Sequence, residues 1–160
     1  MEVLSVKNIS KSIKNKQIIN QISFNISEGE IVGLLGPNGA GKTTIFYSIL
    51  GLIKIDSGEV FLDGKNVTKI PPHKRTEVGI SYLPQEPSIF RYLSVKSNIL
   101  GVGEKNFLKK ENLFNFYQNT IKEFGLESIE DSRGYVLSGG QRRKVEIARC
   151  LAAKPKIILL

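Results

Sequence analysis

The stretch Gly36-Pro37-Asn38-Gly39-Ala40-Gly41-Lys42-Thr43 satisfies the pattern Gly-x-x-x-x-Gly-Lys-Ser/Thr. These residue types, at this spacing, suit the capture of a polyphosphate. Glycines let backbone N–H groups turn inward around phosphate oxygens, and a helix starting at the same point adds further unsatisfied donors and partial positive charge. Lys42 supplies a full charge to the outer phosphates of a nucleoside triphosphate such as ATP. Thr43 can place its hydroxyl on Mg²⁺, and Thr44 is a further phosphate contact. The context that confirms the motif is a loop joining a strand to a helix.

The flanking sequence predicts that context. Ile31-Val32-Gly33-Leu34-Leu35 is apolar on both faces, as a central parallel strand covered on each side would be. Lys42 to Leu50 can form helix, with Gly51 placed to end it. Upstream, Val3 to Val6 and then Ile22, Phe24 and Ile26 alternate with polar residues, the period of a half-buried strand, and Ser27 to Glu30 is a turn. Glu59 to Leu62 reads as a strand between the turns at Asp56-Ser57-Gly58 and Asp63-Gly64, in an antiparallel hairpin region. Pro71-Pro72 marks a loop. Ile80 to Leu83 is a short strand leading into Pro84-Gln85-Glu86-Pro87, where two prolines forbid regular structure and leave Gln85 on an irregular segment. Phe114, Tyr117, Ile121 and Phe124, at 3, 4, 3 spacing, predict an amphipathic helix ending at Gly125.

A second signal lies at Leu137-Ser138-Gly139-Gly140-Gln141. Ser-x-x-Gln is a capping box, and Val145, Ala148 and Ala152, with Ile147 and Leu151, continue it at helical spacing until Pro155 stops the helix. Capping explains Ser138 and Gln141 but not two glycines, each costing about 1 kcal/mol against Ala inside a helix. Bare backbone at a helix N-terminus would instead let donors approach an anion closely.

The phosphate loop, the Leu-Ser-Gly-Gly-Gln stretch and the intervening Leu83-Pro84-Gln85 together resemble the ATP-binding cassette (ABC) domain of ABC transporters. The resemblance runs from Glu2 to Leu160 and covers roughly the first two-thirds of such a domain. It implies an α/β fold of the P-loop NTPase type, with a β-rich entry region and a helical insert over about 94–132. It further implies ATP and Mg²⁺ as ligands, held by Gly36 to Thr44, with Gln85 sensing the γ-phosphate and Mg²⁺. Leu137 to Gln141 would reach the γ-phosphate bound by a second copy, in a head-to-tail dimer. The partners implied are that second subunit and transmembrane permease subunits, without direct nucleic acid binding, at the cytoplasmic face of the membrane. The wording of 86–95 and 142–149 is similar to the ATPases of lipopolysaccharide exporters and, next, to those of branched-chain amino acid importers. A soluble ABC-type ATPase acting on nucleic acid or ribosomes is the alternative, as is a fragment that binds without hydrolysing.

Departures from the pattern matter too. Ile13 stands where an aromatic is expected to stack on adenine. Ile157-Ile158-Leu159-Leu160 matches the apolar part of the strand that precedes the Mg²⁺-linked Asp and catalytic Glu, which would follow together with the switch His; an open parallel sheet does not normally stop partway through a central strand. His73 is upstream and reads as a surface or turn residue, Glu86 has no evident role on water, and Cys150 reads as a small buried hydrophobe. Ile89 and Phe90, expected at the surface beside turn residues, either pack or form a groove for a partner helix. The composition, 160 residues with 41% apolar, one Cys, no Trp and a net charge of +8, fits a globular domain in a reducing compartment. Its apolar runs fall far short of the roughly 20 residues that span a bilayer.

Overall fold

Alternation at the start of the chain builds a hairpin. β1 (Glu2–Ile13) pairs antiparallel with β2 (Lys16–Ser27) across a two-residue turn, Lys14 and Asn15, both at positive φ, which matches the twist of the flanking strands. Leu4 and Val6 point into the core, and an irregularity between Val6 and Ile9, with Asn8 at φ 48°, shifts the phase so that Ile9 is buried as well. β3 (Ser57–Leu62) lies on the other side of β1, with Val6 opposite Val60 and Leu4 opposite Leu62; β4 (Lys65–Asn66) completes a four-stranded sheet ordered β2-β1-β3-β4. Gly58, at φ 89°, is where this sheet comes closest to itself: a Cβ there would sit 2.4 Å from the carbonyl oxygen of Asn8.

The model is a computed structural model. It describes all 160 residues, and they divide into two units, Met1–Ile80 and Ser81–Leu160. In the first unit α1 (Lys42–Leu50) ends as expected at Gly51, φ 74°, whose N–H turns back to the Ser48 carbonyl. Arg75, only 3% exposed, closes the same helix end. Its guanidinium donates to the carbonyls of Ser48 and Ile49 in α1, and to those of Thr68 and Ile70. A cation on the negative end of a helix is favourable, and here it also satisfies carbonyls that the helix cannot. Gly51 must stay bare, because a Cβ would fall 2.7 Å from the Arg75 Nε.

Two expectations for this unit fail. Ile31 to Leu35 enters neither sheet, and Ile31 and Leu35 are 99% and 92% exposed. An apolar run becomes a central strand only where neighbouring strands supply its ladder, and none does so here. Pro71-Pro72 is not simply a loop: Pro72 opens α2 (Pro72–Val78), where its fixed φ and missing N–H suit the first helical position. His73 is exposed on that helix rather than in a turn.

The second unit begins at a two-stranded sheet of β5 (Ile80–Tyr82) and β6 (Ile157–Leu159). Its helices are α3 (Val95–Gly103), α4 (Lys110–Phe124) and α5 (Gly139–Ala152), with single 3-10 turns at Glu127–Ile129 and Gly134–Val136. Ile89, Val95, Ile99, Tyr117, Ile121, Leu126, Val145 and Ala148 form their shared core. α4 ends at Gly125, but Phe114 is 49% exposed; Leu113 and Thr120 take its place on the buried face, since the inward stripe follows i, i+4, i+7 from Leu113. Ile89 is buried in this core, whereas Phe90 is 53% exposed, so the pair expected at the surface is divided between core and solvent. Burial and then the Glu130 carboxylate raise the Tyr117 hydroxyl pKa far above its usual range, and that hydroxyl donates to Glu130.

Removing the Arg75 guanidinium leaves several carbonyls without a donor, each worth about 1–3 kcal/mol where water cannot reach. Arg75→Ala should therefore lower the unfolding free energy in urea by about 3 kcal/mol or more. Arg75→Lys should fall in between, and a loss under about 1 kcal/mol in the Ala variant would show the carbonyls satisfied by other means. A second test concerns Asp56, which accepts from Lys11 Nζ and from the Ser12 N–H, both at 2.7 Å. The Lys11 hydrogen bond and then the Ser12 amide hold its carboxyl below the usual carboxylate range. A depressed folded pKa gives stability that is present above the unfolded value and lost as pH falls through the folded one. Asp56→Asn should melt below the parent chain near neutral pH and converge with it under about pH 3.

Candidate functional site

The phosphate-loop residues lie together at the head of α1. The Ala40 N–H donates to the Pro37 carbonyl at 3.2 Å, folding the loop into a turn, and Gly39 and Gly41 take φ 83° and 91°. Gly41 is doubly constrained. Its φ is strained for any side chain, and a Cβ would meet the Ile18 carbonyl oxygen of β2 at 2.9 Å. Alternating backbone hand of this kind aims successive N–H groups at one concavity. The first intrahelical bond of α1 runs from the Ile45 N–H to the Gly41 carbonyl, at 2.9 Å, so the amides of Lys42, Thr43 and Thr44 have no acceptor within the helix. No side chain caps this end and no acidic residue stands in its first turn.

Lys42 lies across the loop, its Nζ donating to the carbonyls of Gly36 at 2.6 Å and Pro37 at 2.8 Å. The ammonium is thereby held over the amides instead of roaming in solvent. Thr43 is exposed beside it and Thr44 is half-buried. Pro37, Asn38, Gly39 and Ala40 all face solvent. The fit to a phosphate chain is good: converging amides, one positioned cation, one hydroxyl and no competing carboxylate. Ile13, at the tip of the β1–β2 hairpin, is 42% exposed and offers apolar surface without an aromatic face.

The second unit carries the other sequence-predicted residues. Gln85 is exposed in the irregular segment after β5, between Pro84 and Pro87. Ser138 caps α5: its Oγ accepts from the Gln141 N–H at 3.3 Å, and the Gln141 Oε1 accepts from the Ser138 N–H at 2.9 Å, which completes the capping box. Leu137 is buried at 5% exposure and anchors the turn, while Gly139 and Gly140 are exposed. A Cβ on either glycine would meet nothing within 4 Å. Packing within the chain therefore gives no reason for two glycines at the start of α5. Cys150 is half-buried, and burial pushes its thiol pKa up against a smaller opposing effect of a hydrogen bond with Ser81. It is not poised as a nucleophile.

Sequence reasoning missed a group of side chains that grip the Gln85 segment. Arg143, Glu146 and Arg149 of α5 reach the backbone of Pro84 and Ser88. Asn98 of α3, fully buried, accepts from the Phe90 N–H and donates to the carbonyls of Phe90, Leu93 and Ser94. Their i, i+3, i+6 spacing on one helix was the available signal, but charges at that spacing on a helix ordinarily face water. No helix of the chain is long and apolar enough to cross a membrane.

Comparison with known proteins places these features. Residues 19–160 match the family model described as ABC transporter. The chain is 47% identical, over its whole length and 67% of the relative's, to the lipopolysaccharide export system ATP-binding protein LptB of Haemophilus influenzae. The same identity and coverage hold for LptB of Escherichia coli. Among solved structures, an ATP-binding cassette of an ABC transporter in its ADP conformation superposes with a TM-score of 0.82 at 28% identity, over 99% of this chain and 67% of that one. The protein of Clostridium perfringens described as cbiO1, part of the ABC transporter complex cbiONQ, gives 0.85 at 27% identity, over 98% of this chain and 64% of that one. The family match covers most of both units, so the chain belongs to the ABC transporter family, as an ATP-binding subunit of the ATP-hydrolysing kind.

Proposed function

We propose that the chain binds Mg-ATP on the loop Gly36 to Thr44 and that a second copy, arranged head to tail, closes on that nucleotide with Leu137 to Gln141. The single observation that carries the reading is the uncapped start of α1, with Lys42 laid across its loop; the uncrowded Gly139 and Gly140 at the start of α5 support the second half of it. Lys42 needs only to exchange two carbonyls for phosphate oxygens, so its charge is delivered without a search through rotamers. Thr43 is the loop's metal ligand, and Gln85 is a second. A magnesium ion of this kind takes most of its ligands from phosphates and water, needing only one or two protein groups. When bound, it supplies neutralisation of charge between the outer phosphates. Glu86, in the loop beside Gln85, is not assigned the task of orienting or deprotonating the attacking water.

The segment around the exposed Phe90 is the surface for transmembrane permease subunits. The cargo is lipopolysaccharide, the substrate for which the LptB relatives are named. The subunit then works at the cytoplasmic face of the membrane, held there by its partners.

Calorimetric titration with Mg-ATP tests the loop. A charge-assisted hydrogen bond is worth about 1.5–3 kcal/mol, and Lys42 would make two or more. Lys42→Ala should weaken binding by about 100-fold or more; unchanged affinity would remove the loop from the account. The shared site has its own test by sedimentation with a non-hydrolysable ATP analogue. Ser138→Arg should leave nucleotide affinity of the single chain intact while abolishing nucleotide-driven pairing. Gly140→Ala should do the same while raising stability by about 0.5–1 kcal/mol, since Ala is the better helix former and has room. Pairing that survives both substitutions would contradict a site shared between copies.

A further inference from the structure

The helix that presents Ser138 also holds the segment that carries Gln85. Arg143 donates to the Pro84 carbonyl, immediately before Gln85, at 2.7 Å. Glu146, whose residue is 4% exposed, accepts from the Ser88 N–H at 2.6 Å and from Arg143 at 3.3 Å. Arg149 donates to the Ser88 carbonyl at 2.6 Å, and its guanidinium lies over the Phe90 ring at 4.4 Å from the centroid. One face of α5 therefore fixes the backbone on both sides of Gln85.

The chemistry of that face is unusual for a core helix. Neighbouring inward positions are Val145, Ala148 and Ala152, all fully buried. A carboxylate in such company is costly unless paired and hydrogen-bonded. Glu146 is both, and what it pairs with is an irregular segment. With prolines at 84 and 87 the segment builds no ladder of its own, so its polar backbone groups must find partners elsewhere. The carboxylate also opposes the fall in Arg149 basicity that burial causes.

We infer that Glu146 is a positioning residue for Gln85: together with Arg143 it binds residues 84–88 to α5, so that Gln85 and Ser138 move as parts of one body. Any ligand that draws on Ser138 then alters the placement of Gln85, and the reverse holds by the same coupling free energy. The inference rests on the proposed role of Gln85 at magnesium.

Two measurements on the chain separate failure of the inference from failure of that role. In the first, amide hydrogen exchange is followed in Glu146→Ala and Glu146→Gln. The Ala variant should exchange at least tenfold faster at Ser88, whose N–H loses its acceptor, with amides 142–150 of α5 unchanged within twofold. The Gln variant, which still accepts from the Ser88 N–H, should stay within threefold of the parent. Equal loss of protection across α5 would mean that Glu146 only stabilises the helix, and unchanged exchange at Ser88 would overturn the inference outright. Should the Ala variant not fold, Arg143→Ala, from a side chain 40% exposed, removes the Pro84 contact and should lower the magnesium ratio of the second measurement at least threefold; an unchanged ratio would overturn the inference. In the second measurement, the ratio of ATP dissociation constants without and with magnesium is compared. Gln85→Ala and Glu146→Ala should each reduce that ratio at least fivefold, and the double variant no further; the magnesium-free affinity of Glu146→Ala should stay within twofold. A reduced ratio in Gln85→Ala but not in Glu146→Ala overturns the positioning role. A full ratio in Gln85→Ala overturns the proposed magnesium contact instead and leaves the exchange experiment to decide.

Discussion

The first turn of an α-helix carries amides that its own geometry cannot satisfy, and the starts of α1 and α5 meet that deficit in different ways. α5 answers it internally, because Ser138 and Gln141 exchange two hydrogen bonds. α1 does not. Gly41 has no side chain to cap the helix, and no other side chain does so. A position that would favour Ser, Thr or Asp on stability grounds is occupied by glycine, with a lysine next to it. The amides are left facing the inside of the loop, and the rest of the first unit serves to hold them there. β2 limits Gly41 through the Ile18 carbonyl, while Arg75 completes the opposite end of the helix.

The glycines divide by the reason they are bare. Gly41, Gly51 and Gly58 are required by the chain itself, through positive φ and through carbonyl or guanidinium atoms within 3 Å of where a Cβ would stand. Gly139 and Gly140 are required by nothing in the chain, since neither has a neighbour within 4 Å nor a left-handed φ. A feature that weakens a helix and is unexplained internally points to a ligand or a second molecule. The reading proposed above takes that molecule to be a second copy of the chain with its nucleotide.

Features decided within a few residues were legible in the sequence. The loop at 36–43, the helix stop at Gly51, the capping box at Ser138 and the end of α4 at Gly125 all follow from glycine, hydroxyl and amide chemistry close by in the chain. What failed depended on distant partners. The run 31–35 has the composition of a central strand, but a ladder needs neighbours that composition cannot supply. Phe114 fits a 3, 4, 3 spacing, yet Leu113 defines the stripe that the other helices cover. Ile89 and Phe90 are adjacent and equally apolar; one is core and the other surface because Asn98 takes the Phe90 N–H and so fixes the backbone between them, while Arg149 lies over the Phe90 ring. The Arg143, Glu146 and Arg149 face was the hardest to see, since its partners are main-chain atoms some 60 residues earlier in the chain.

The central claim is that amides of residues 39–44 receive the phosphates. Hydrogen exchange resolved to single residues, with and without magnesium and a non-hydrolysable ATP analogue, reads those amides directly. The account predicts that Gly39, Gly41, Lys42, Thr43 and Thr44 become at least tenfold slower to exchange when the nucleotide is added. Unaltered exchange across that loop, at a nucleotide concentration where calorimetry shows saturation, would place the ligand elsewhere and contradict the account.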